Sequence, residues 1–186
     1  MNPLSRRRFL LAFSASGVVA AGGSALAAGR AGTGPDAAPR WLELVNTHTA
    51  ESLQVTYRNA VGLVAPALER LQWLLRDHRR DESAPIDPAL YDQLVALAAA
   101  AAVEPRFEVI SAYRSPHTNA ALQGAGRGVA TRSLHMQGRA IDVRLRGVSC
   151  AALGELAVAA ARGGVGYYRR SDFVHLDTGR VRHWAG

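Results

Sequence analysis

Apolar and polar residues alternate along two short segments, 41–45 and 53–57, with Thr and Ser between them. Alternation with a period of two predicts strands, and the short polar connection predicts a β-hairpin. Further strands are predicted from short apolar runs at 107–111, 140–143, 165–168, 173–176 and 181–184.

Other segments have helical spacing. Apolar residues recur every three or four positions over 64–78 and again over 151–162, where Ser149 is a candidate N-cap and Gly163 a stop. Asp87-Pro88 predicts the start of a helix to about residue 102, and Ser115-Pro116 the start of a short helix to about 122. Residues 124–133 carry three glycines and predict a loop.

The order of these elements is a hairpin, two helices, and then strands that alternate with helices. There is no internal repeat. This order predicts an α+β domain with a mainly antiparallel sheet and flanking helices.

The first 27 residues have the organisation of an export signal. Three arginines at 6–8 and Phe9-Leu10 precede an apolar stretch that ends at Ala25-Leu26-Ala27, a small-x-small cleavage pattern. The Ser-Arg-Arg-x-Phe-Leu order is similar to bacterial twin-arginine signals. We expect a twin-arginine signal peptide at 1–27, a flexible linker at 28–40 and one domain at 41–186. An uncleaved anchor helix is the alternative.

Composition removes several classes of function. The 186 residues include 22 basic side chains, all arginine, so chemistry that needs a lysine Schiff base is excluded. The single cysteine, Cys150, excludes disulfide frameworks and multi-cysteine zinc sites. A net charge of +7 suggests a nucleic-acid-binding protein, but the arginines are scattered along the chain. The predicted signal peptide carries three of them, so the remaining chain has a net charge of +4. We expect no nucleic-acid partner.

Three residues form a candidate metal site. His135 ends the glycine-bearing loop, Asp142 lies on the following strand, and His175 lies on a later strand. A catalytic zinc site uses three protein ligands with N, O or S donors and keeps one position for water. The alternative is a loop histidine at 135 and an ordinary paired acid at 142, with Arg139 or Arg144 as its partner.

Two acids near His175 have candidate roles. Asp172 precedes His175 by three residues, so in a regular strand the two side chains face opposite ways. We expect Asp172 in the preceding turn, leaning over the site as general base and acid. Asp177 shares the face of His175 and can orient its ring or compete as a metal ligand.

Residues 133–142, S-x-H-x-x-G-x-A-x-D, resemble the zinc motif of the D-Ala-D-Ala metallopeptidases. Asp172-x-x-His175 resembles the second motif of that group, and 111–115 resembles its Ser-Gly-Tyr-Arg segment. Over about 42–184, which includes the closing segment 174–184, the chain is similar to the MepK-like murein endopeptidases within the group.

The resemblance implies a hedgehog/D,D-peptidase-like fold and one Zn²⁺ per chain, held by His135, Asp142 and His175. It implies Asp172 as catalytic acid/base and Arg114 as the group that stabilises the developing oxyanion, since guanidinium offers a fixed fork of donors. For Arg114 the alternative is a surface salt bridge.

The same resemblance implies a periplasmic, zinc-dependent murein peptidase whose partners are peptidoglycan stem peptides. We expect a monomer without a lasting membrane anchor. Endopeptidase cleavage of cross-links is favoured over D,D- or L,D-carboxypeptidase trimming, and a non-catalytic peptidoglycan-binding zinc module is the third possibility.

Ser133 and Tyr113 are candidate substrate-binding or supporting residues. His117 and His183 are expected to be structural or surface residues, and Tyr167 and Tyr168 to lie in the core or flank the substrate.

Overall fold

The computed structural model describes residues 38–126 and 128–186. The predicted signal peptide and the linker as far as residue 37 lie outside the described residues. The strands are β1 (Arg40–Asn46), β2 (Ser52–Asn59), β3 (Gly62–Leu63), β4 (Arg106–Ser111), β5 (Ala140–Leu145), β6 (Gly164–Tyr168), β7 (Phe173–Asp177) and β8 (Arg182–Ala185). The helices are α1 (Ala65–Leu74), α2 (Pro88–Ala100), α3 (Pro116–Gly124) and α4 (Cys150–Ala160), with a 3₁₀ turn at Leu134–Gln137.

The strands of the described residues form one sheet in the order β3-β2-β1-β4-β5-β7-β6-β8. The predicted hairpin is confirmed, since β1 and β2 pair antiparallel with Leu44 opposite Leu53. The sheet is mostly antiparallel but mixed, because β1 pairs with β4 and β6 with β8 in parallel. Between β1 and β4 the chain passes through α1 and α2, and such a long crossover returns a strand in the same direction.

Polar caps start three of the helices. Asp87, Ser115 and Ser149 each accept a hydrogen bond from a backbone amide in the first turn of α2, α3 and α4. Each cap satisfies an amide that has no partner within the helix, which explains why these helices begin where the sequence predicts.

The first helix is shorter than predicted. It ends at Leu74 rather than near residue 78, because the chain then turns and buries Asp77. Asp77 accepts hydrogen bonds from the backbone amide and the hydroxyl of Ser115, at 3.0 and 2.8 Å. The helical spacing therefore marks α1 correctly, and only the predicted end of the helix lies too far along the chain.

One face of the sheet is apolar and packs against the helices, whereas the other face carries polar residues. Ile141 and Val143 of β5 and Val174 and Leu176 of β7 are buried in one apolar core with residues of α1, α2 and α4. Successive side chains of a strand alternate between faces, so the polar residues between them lie on the opposite face. That face carries the candidate site. Among residues 38–126 and 128–186, no helix combines the length and apolar character needed to cross a membrane.

Candidate metal centre and active-site cavity

His135, Asp142 and His175 converge on one point. His135 comes from the 3₁₀ turn, Asp142 from β5 and His175 from the neighbouring β7, where it is the register partner of Asp142. One ligand atom from each residue lies within 4.8 Å of the other two, and all three residues are buried. The predicted ligands are thus brought together by one strand pair and the turn that leads into it.

The ring of His135 has a fixed orientation. Its Nδ1–H donates to the carbonyl oxygen of Ala112 at 2.7 Å, which leaves Nε2 as the acceptor that faces the other two residues. Gly138 ends the 3₁₀ turn with a φ of 64°, in the left-handed region, and lets the chain turn directly from His135 into β5.

His175 is held between two carboxylates. Its Nδ1 lies 2.8 Å from Asp142 Oδ1 and its Nε2 lies 3.2 Å from Asp177 Oδ2. Burial alone lowers the pKa of His175, but the hydrogen bonds to Asp142 and Asp177 outweigh it and raise the pKa to about 9. Without a metal, the ring is therefore protonated at neutral pH.

Asp177 is fully buried and saturated with donors. It accepts hydrogen bonds from the backbone amides of Gly164 and Gly179 and from both terminal nitrogens of Arg182. Burial raises the pKa of Asp177, but the donors His175 and Arg182 and the two amides hold it well below its usual range. Of the two roles predicted for Asp177, the contacts favour orienting His175, because its oxygens have other partners and it does not join the three converging ligand atoms.

Among the described residues, Asp142 has no ion pair with Arg139 or Arg144, the two partners that the alternative interpretation names. Arg139 bonds Thr178, and Arg144 bonds Glu108 and the turn before β7. Burial raises the pKa of Asp142, but the rings of His135 and His175 beside it hold the pKa far below its usual range. Its carboxylate is charged, buried and faced by two imidazoles.

The donor set fits a divalent metal ion. His135 Nε2 lies 3.2 Å from His175 Nδ1 and 3.4 Å from Asp142 Oδ1. A tetrahedral ion with bonds near 2.0–2.1 Å separates its ligands by about 3.3 Å. A single proton on His175 Nδ1 has to be shared between Asp142 Oδ1 and His135 Nε2, whereas one cation satisfies all three atoms.

Arg114 is buried beside this centre, which argues against a surface salt bridge. Its Nη1 donates to Asn119 Oδ1 at 3.3 Å, and its Nε has no partner among the described residues. Burial lowers the pKa of Arg114, while the charge of nearby Asp142 raises it. A guanidinium that lines the cavity can bind a developing negative charge there.

A cavity of about 500 Å³ opens over the centre. Ser133, His135, Asp142, His175 and Arg114 all line it. Aromatic residues also line it: Tyr168, Phe173 and Trp184. The Trp184 indole N–H donates to the Tyr168 hydroxyl, and its ring packs 5.2 Å from the ring of His175.

Asp172 lies in the turn between β6 and β7, as predicted, but its side chain does not line the cavity. It is largely exposed and pairs with Arg144, with Oδ2 3.5 Å from Nε. Its neighbours Ser171 and Phe173 do line the cavity, so Asp172 stands at the rim. The expectation that its carboxylate leans over the centre is not met in this arrangement, because Arg144 competes for it.

Other predicted residues lie elsewhere. Tyr113 does not line the cavity and instead packs against the core. His117 is exposed on α3, and His183 is exposed beside a second cavity of about 470 Å³ between α4 and β8. That second cavity is lined mostly by apolar side chains and contains no cluster of groups able to activate water.

Three residues of the site carry no local signal in the sequence. Asn119 supports Arg114, Arg182 neutralises Asp177, and Trp184 covers His175. They become neighbours of the centre only through strand pairing and loop packing. Asn119 and the closing segment 174–184, which contains Arg182 and Trp184, are similar to the MepK-like enzymes, and that resemblance was the only indication of these three residues.

Comparison with known proteins places this chain in the class of peptidoglycan peptidases. The family described as peptidoglycan L,D-endopeptidase MepK matches residues 35–184. The chain is 39% identical over 180 residues to peptidoglycan L,D-endopeptidase MepK of Escherichia coli (strain K12), covering 97% of both chains. It is 38% identical over 149 residues to a probable peptidoglycan L,D-endopeptidase MepK of Haemophilus influenzae, covering 80% of each. No solved structure shows significant similarity to this chain.

The chain belongs to the peptidoglycan L,D-endopeptidase MepK family. The resemblance expected from the motifs at 111–115, 133–142 and 172–175 is thereby confirmed, and it extends over nearly the whole chain.

Proposed function

We propose that this protein is a metal-dependent peptidoglycan endopeptidase that hydrolyses L,D-type peptide cross-links between stem peptides. Membership of the MepK family supports the substrate class and the reaction. The buried His135–Asp142–His175 centre beside Arg114, in a cavity wide enough for a peptide, is the observation that carries the proposal. We propose zinc as the metal, because N and O donors in threes are typical of catalytic zinc sites.

His135, Asp142 and His175 would hold the ion through Nε2, Oδ1 and Nδ1. A zinc ion held there would polarise a scissile carbonyl and would lower the pKa of a water molecule towards neutrality. Asp177 keeps His175 in the orientation that directs Nδ1 to the centre. Arg114 donates to the oxygen of the scissile carbonyl as negative charge develops on it.

Asp172 acts as the general base and acid. Its carboxylate removes a proton from the attacking water and passes that proton to the nitrogen of the leaving amine. This role requires the side chain to turn from Arg144 to the cavity, whose lining includes the residues on either side of it. Their separation of 3.5 Å is longer than a normal charge-assisted hydrogen bond, so this contact is weak.

The function requires an extracytoplasmic location. We propose that residues 1–27 direct the chain through the twin-arginine pathway, that 28–40 form a linker, and that the domain at 41–186 acts in the periplasm. The peptidase chemistry uses residues between Arg114 and Asp177, all within that domain.

The test is digestion of purified peptidoglycan, with products separated by liquid chromatography and identified by mass spectrometry. The wild-type domain should contain about one zinc per chain and convert cross-linked muropeptide dimers to monomers. His135→Ala should lose the metal and the activity. Asp172→Asn should keep the metal and lose at least about a hundredfold in rate, the usual scale of acid–base catalysis.

Matched controls separate this result from general damage. Asp81→Asn changes another exposed aspartate that has a similar left-handed backbone and an arginine partner, and it should keep full activity. Shortened stems with intact dimers would instead indicate a carboxypeptidase. Binding without any cleavage, or less than about half a zinc per chain, would favour the non-catalytic module.

A further inference from the structure

Arg144 links β5, the strand that carries Asp142, to the turn that carries Asp172. Arg144 lies on β5, two residues after Asp142 and therefore on the same face of the sheet. Its Nε donates to the backbone carbonyl of Asp172, and its Nη2 donates to the carbonyl of Ser171 at 3.3 Å. These two bonds hold the backbone of the turn, independently of the Asp172 side chain.

The guanidinium is itself held from the opposite side. Its Nη1 pairs with Glu108 Oε2 at 3.3 Å, and Glu108 on β4 is the register partner of Arg144. The side chain of Arg144 is about one-third exposed, so the arrangement is half buried between two strands and a turn. Glu108 thus restricts the directions in which Arg144 can point.

The β6–β7 turn depends on contacts of this kind, because its own residues do little to fix its conformation. Asp172 has a φ of 51°, a left-handed conformation that costs a non-glycine residue about 1 kcal/mol or more unless its surroundings impose it. The four residues between β6 and β7 are exposed and contribute nothing to the apolar core. Among the described residues, Arg144 is the side chain that bonds the carbonyls of this turn.

We propose that Arg144 is a positioning residue, which fixes the β6–β7 turn through the carbonyls of Ser171 and Asp172 and so sets where the Asp172 carboxylate can reach. The proposal rests on the proposed function in one respect, the role of Asp172 as general base. Because Arg144 and Asp142 share one strand, the arginine fixes the base relative to the metal ligands.

Limited proteolysis tests the hold on the turn without using activity. Arg169 and Arg170 are exposed in the turn, so trypsin cleaves there when the turn opens. Arg144→Ala should raise the rate of cleavage after these two residues at least about fivefold, followed by mass spectrometry of the fragments. Arg146→Ala is the matched control: Arg146 is exposed, pairs with Glu43 instead, and should leave cleavage of the turn unchanged.

Kinetics test the consequence for Asp172. A small displacement of a catalytic group costs about ten- to a hundredfold in rate, so Arg144→Ala should lower kcat by that factor. KM should change less than twofold, and the zinc content and Tm should stay close to wild type. Arg144→Lys keeps the charge but cannot bond both carbonyls in a fixed fork, so kcat should fall at least fivefold even if Arg144→Ala fails to fold.

The outcomes separate the two proposals. Unchanged trypsin cleavage of the turn, or a kcat within twofold of wild type in a folded Arg144 variant, overturns the positioning role. A change confined to KM also overturns it, because Arg144 would then contact substrate. Full activity of Asp172→Asn would instead overturn the assignment of the base in the proposed function, whatever the turn does in the Arg144 variants.

Discussion

At the scale of single residues, the centre depends on which nitrogen each imidazole directs inward. His135 presents Nε2 because Ala112 accepts from its Nδ1, and His175 presents Nδ1 because Asp177 accepts from its Nε2. Two different partners therefore give two different ring orientations. The sequence predicts His135 and His175 as ligands, but it contains no information about the choice of nitrogen.

Asp177→Asn should weaken metal binding without removing a ligand. The amide leaves Nε2 of His175 without a charged partner, and loss of such a partner typically costs about ten- to a hundredfold in metal affinity. Competition against a chelator of known affinity measures the change. Arg182→Ala removes the other charged partner of Asp177 but leaves its bond to His175, so metal affinity should fall less than about fivefold. Equal losses in the two variants would contradict the orienting role of Asp177.

At the scale of elements, the path from the 3₁₀ turn into β5 sets the distance between two ligands. Gly138 ends this turn in a left-handed backbone conformation, and its backbone amide donates a hydrogen bond to the carbonyl oxygen of His135. A Cβ at Gly138 would collide with the carbonyl oxygen of Pro85. The glycine in the motif is thus required by close packing as well as by conformation.

Gly138→Ala should lower both stability and metal affinity. Backbone strain and the collision with Pro85 together should cost about 3 kcal/mol in the free energy of unfolding, measured with urea. Gly147→Ala is the control, since Gly147 also has a left-handed φ, 82°, but a Cβ there meets open space. Gly147→Ala should lower the free energy of unfolding by about 1 kcal/mol, which is the cost of the left-handed backbone conformation alone, and should leave metal affinity unchanged. If the two variants lost equal stability, the contact with Pro85 would have no role.

The elements themselves followed from local patterns. The hairpin β1–β2, the capped starts of α2 and α4, and the closing strands lie where alternation and capping residues predict them. The two-residue strand β3 was missed because it is too short to show a period. The early end of α1 was missed because it depends on Asp77 bonding Ser115, a partner 38 residues away.

At the scale of the whole molecule, Asp77 joins the segment after α1 to the segment that leads from Arg114 into α3. It is 2% exposed and accepts from Ser115 twice and from the backbone amide of Arg79. Burial raises the pKa of Asp77, but hydrogen bonds from Thr118, Ser115 and Arg79 outweigh it and lower the pKa below its ordinary value.

Asp77→Asn should therefore destabilise the protein in a pH-dependent way. At pH 7 the loss should be about 2 kcal/mol, the scale of hydrogen bonds to a buried charge. A carboxylate with a lowered pKa in the folded state contributes stability above its unfolded pKa, about 3.9, and loses it as the pH falls through the lower folded value. The difference between wild type and variant should thus shrink between pH 5 and pH 2.5.

Urea unfolding of both proteins at several pH values, with chelator present, measures this difference and cancels the titration of the metal ligands. Asp81→Asn changes an exposed carboxylate whose partner, the buried Arg76, keeps Glu51 as a second carboxylate partner, so it should change stability by less than about 1 kcal/mol at each pH. A wild-type to Asp77→Asn difference that does not vary with pH would show that the charge of Asp77 is not what stabilises this junction.

The sequence by itself determined most of the elements, the apolar core face and the three residues of the candidate metal centre, because periodicity, caps and a dense motif are local properties. Only the tertiary structure decided how the site is assembled around them. Pairing of β5 with β7 sets Asp142 opposite His175, burial isolates Arg114, and Arg144 holds the turn of Asp172 at the rim. These relations join residues far apart in the chain, and their energies come from packing and from charges excluded from water, which no short segment contains.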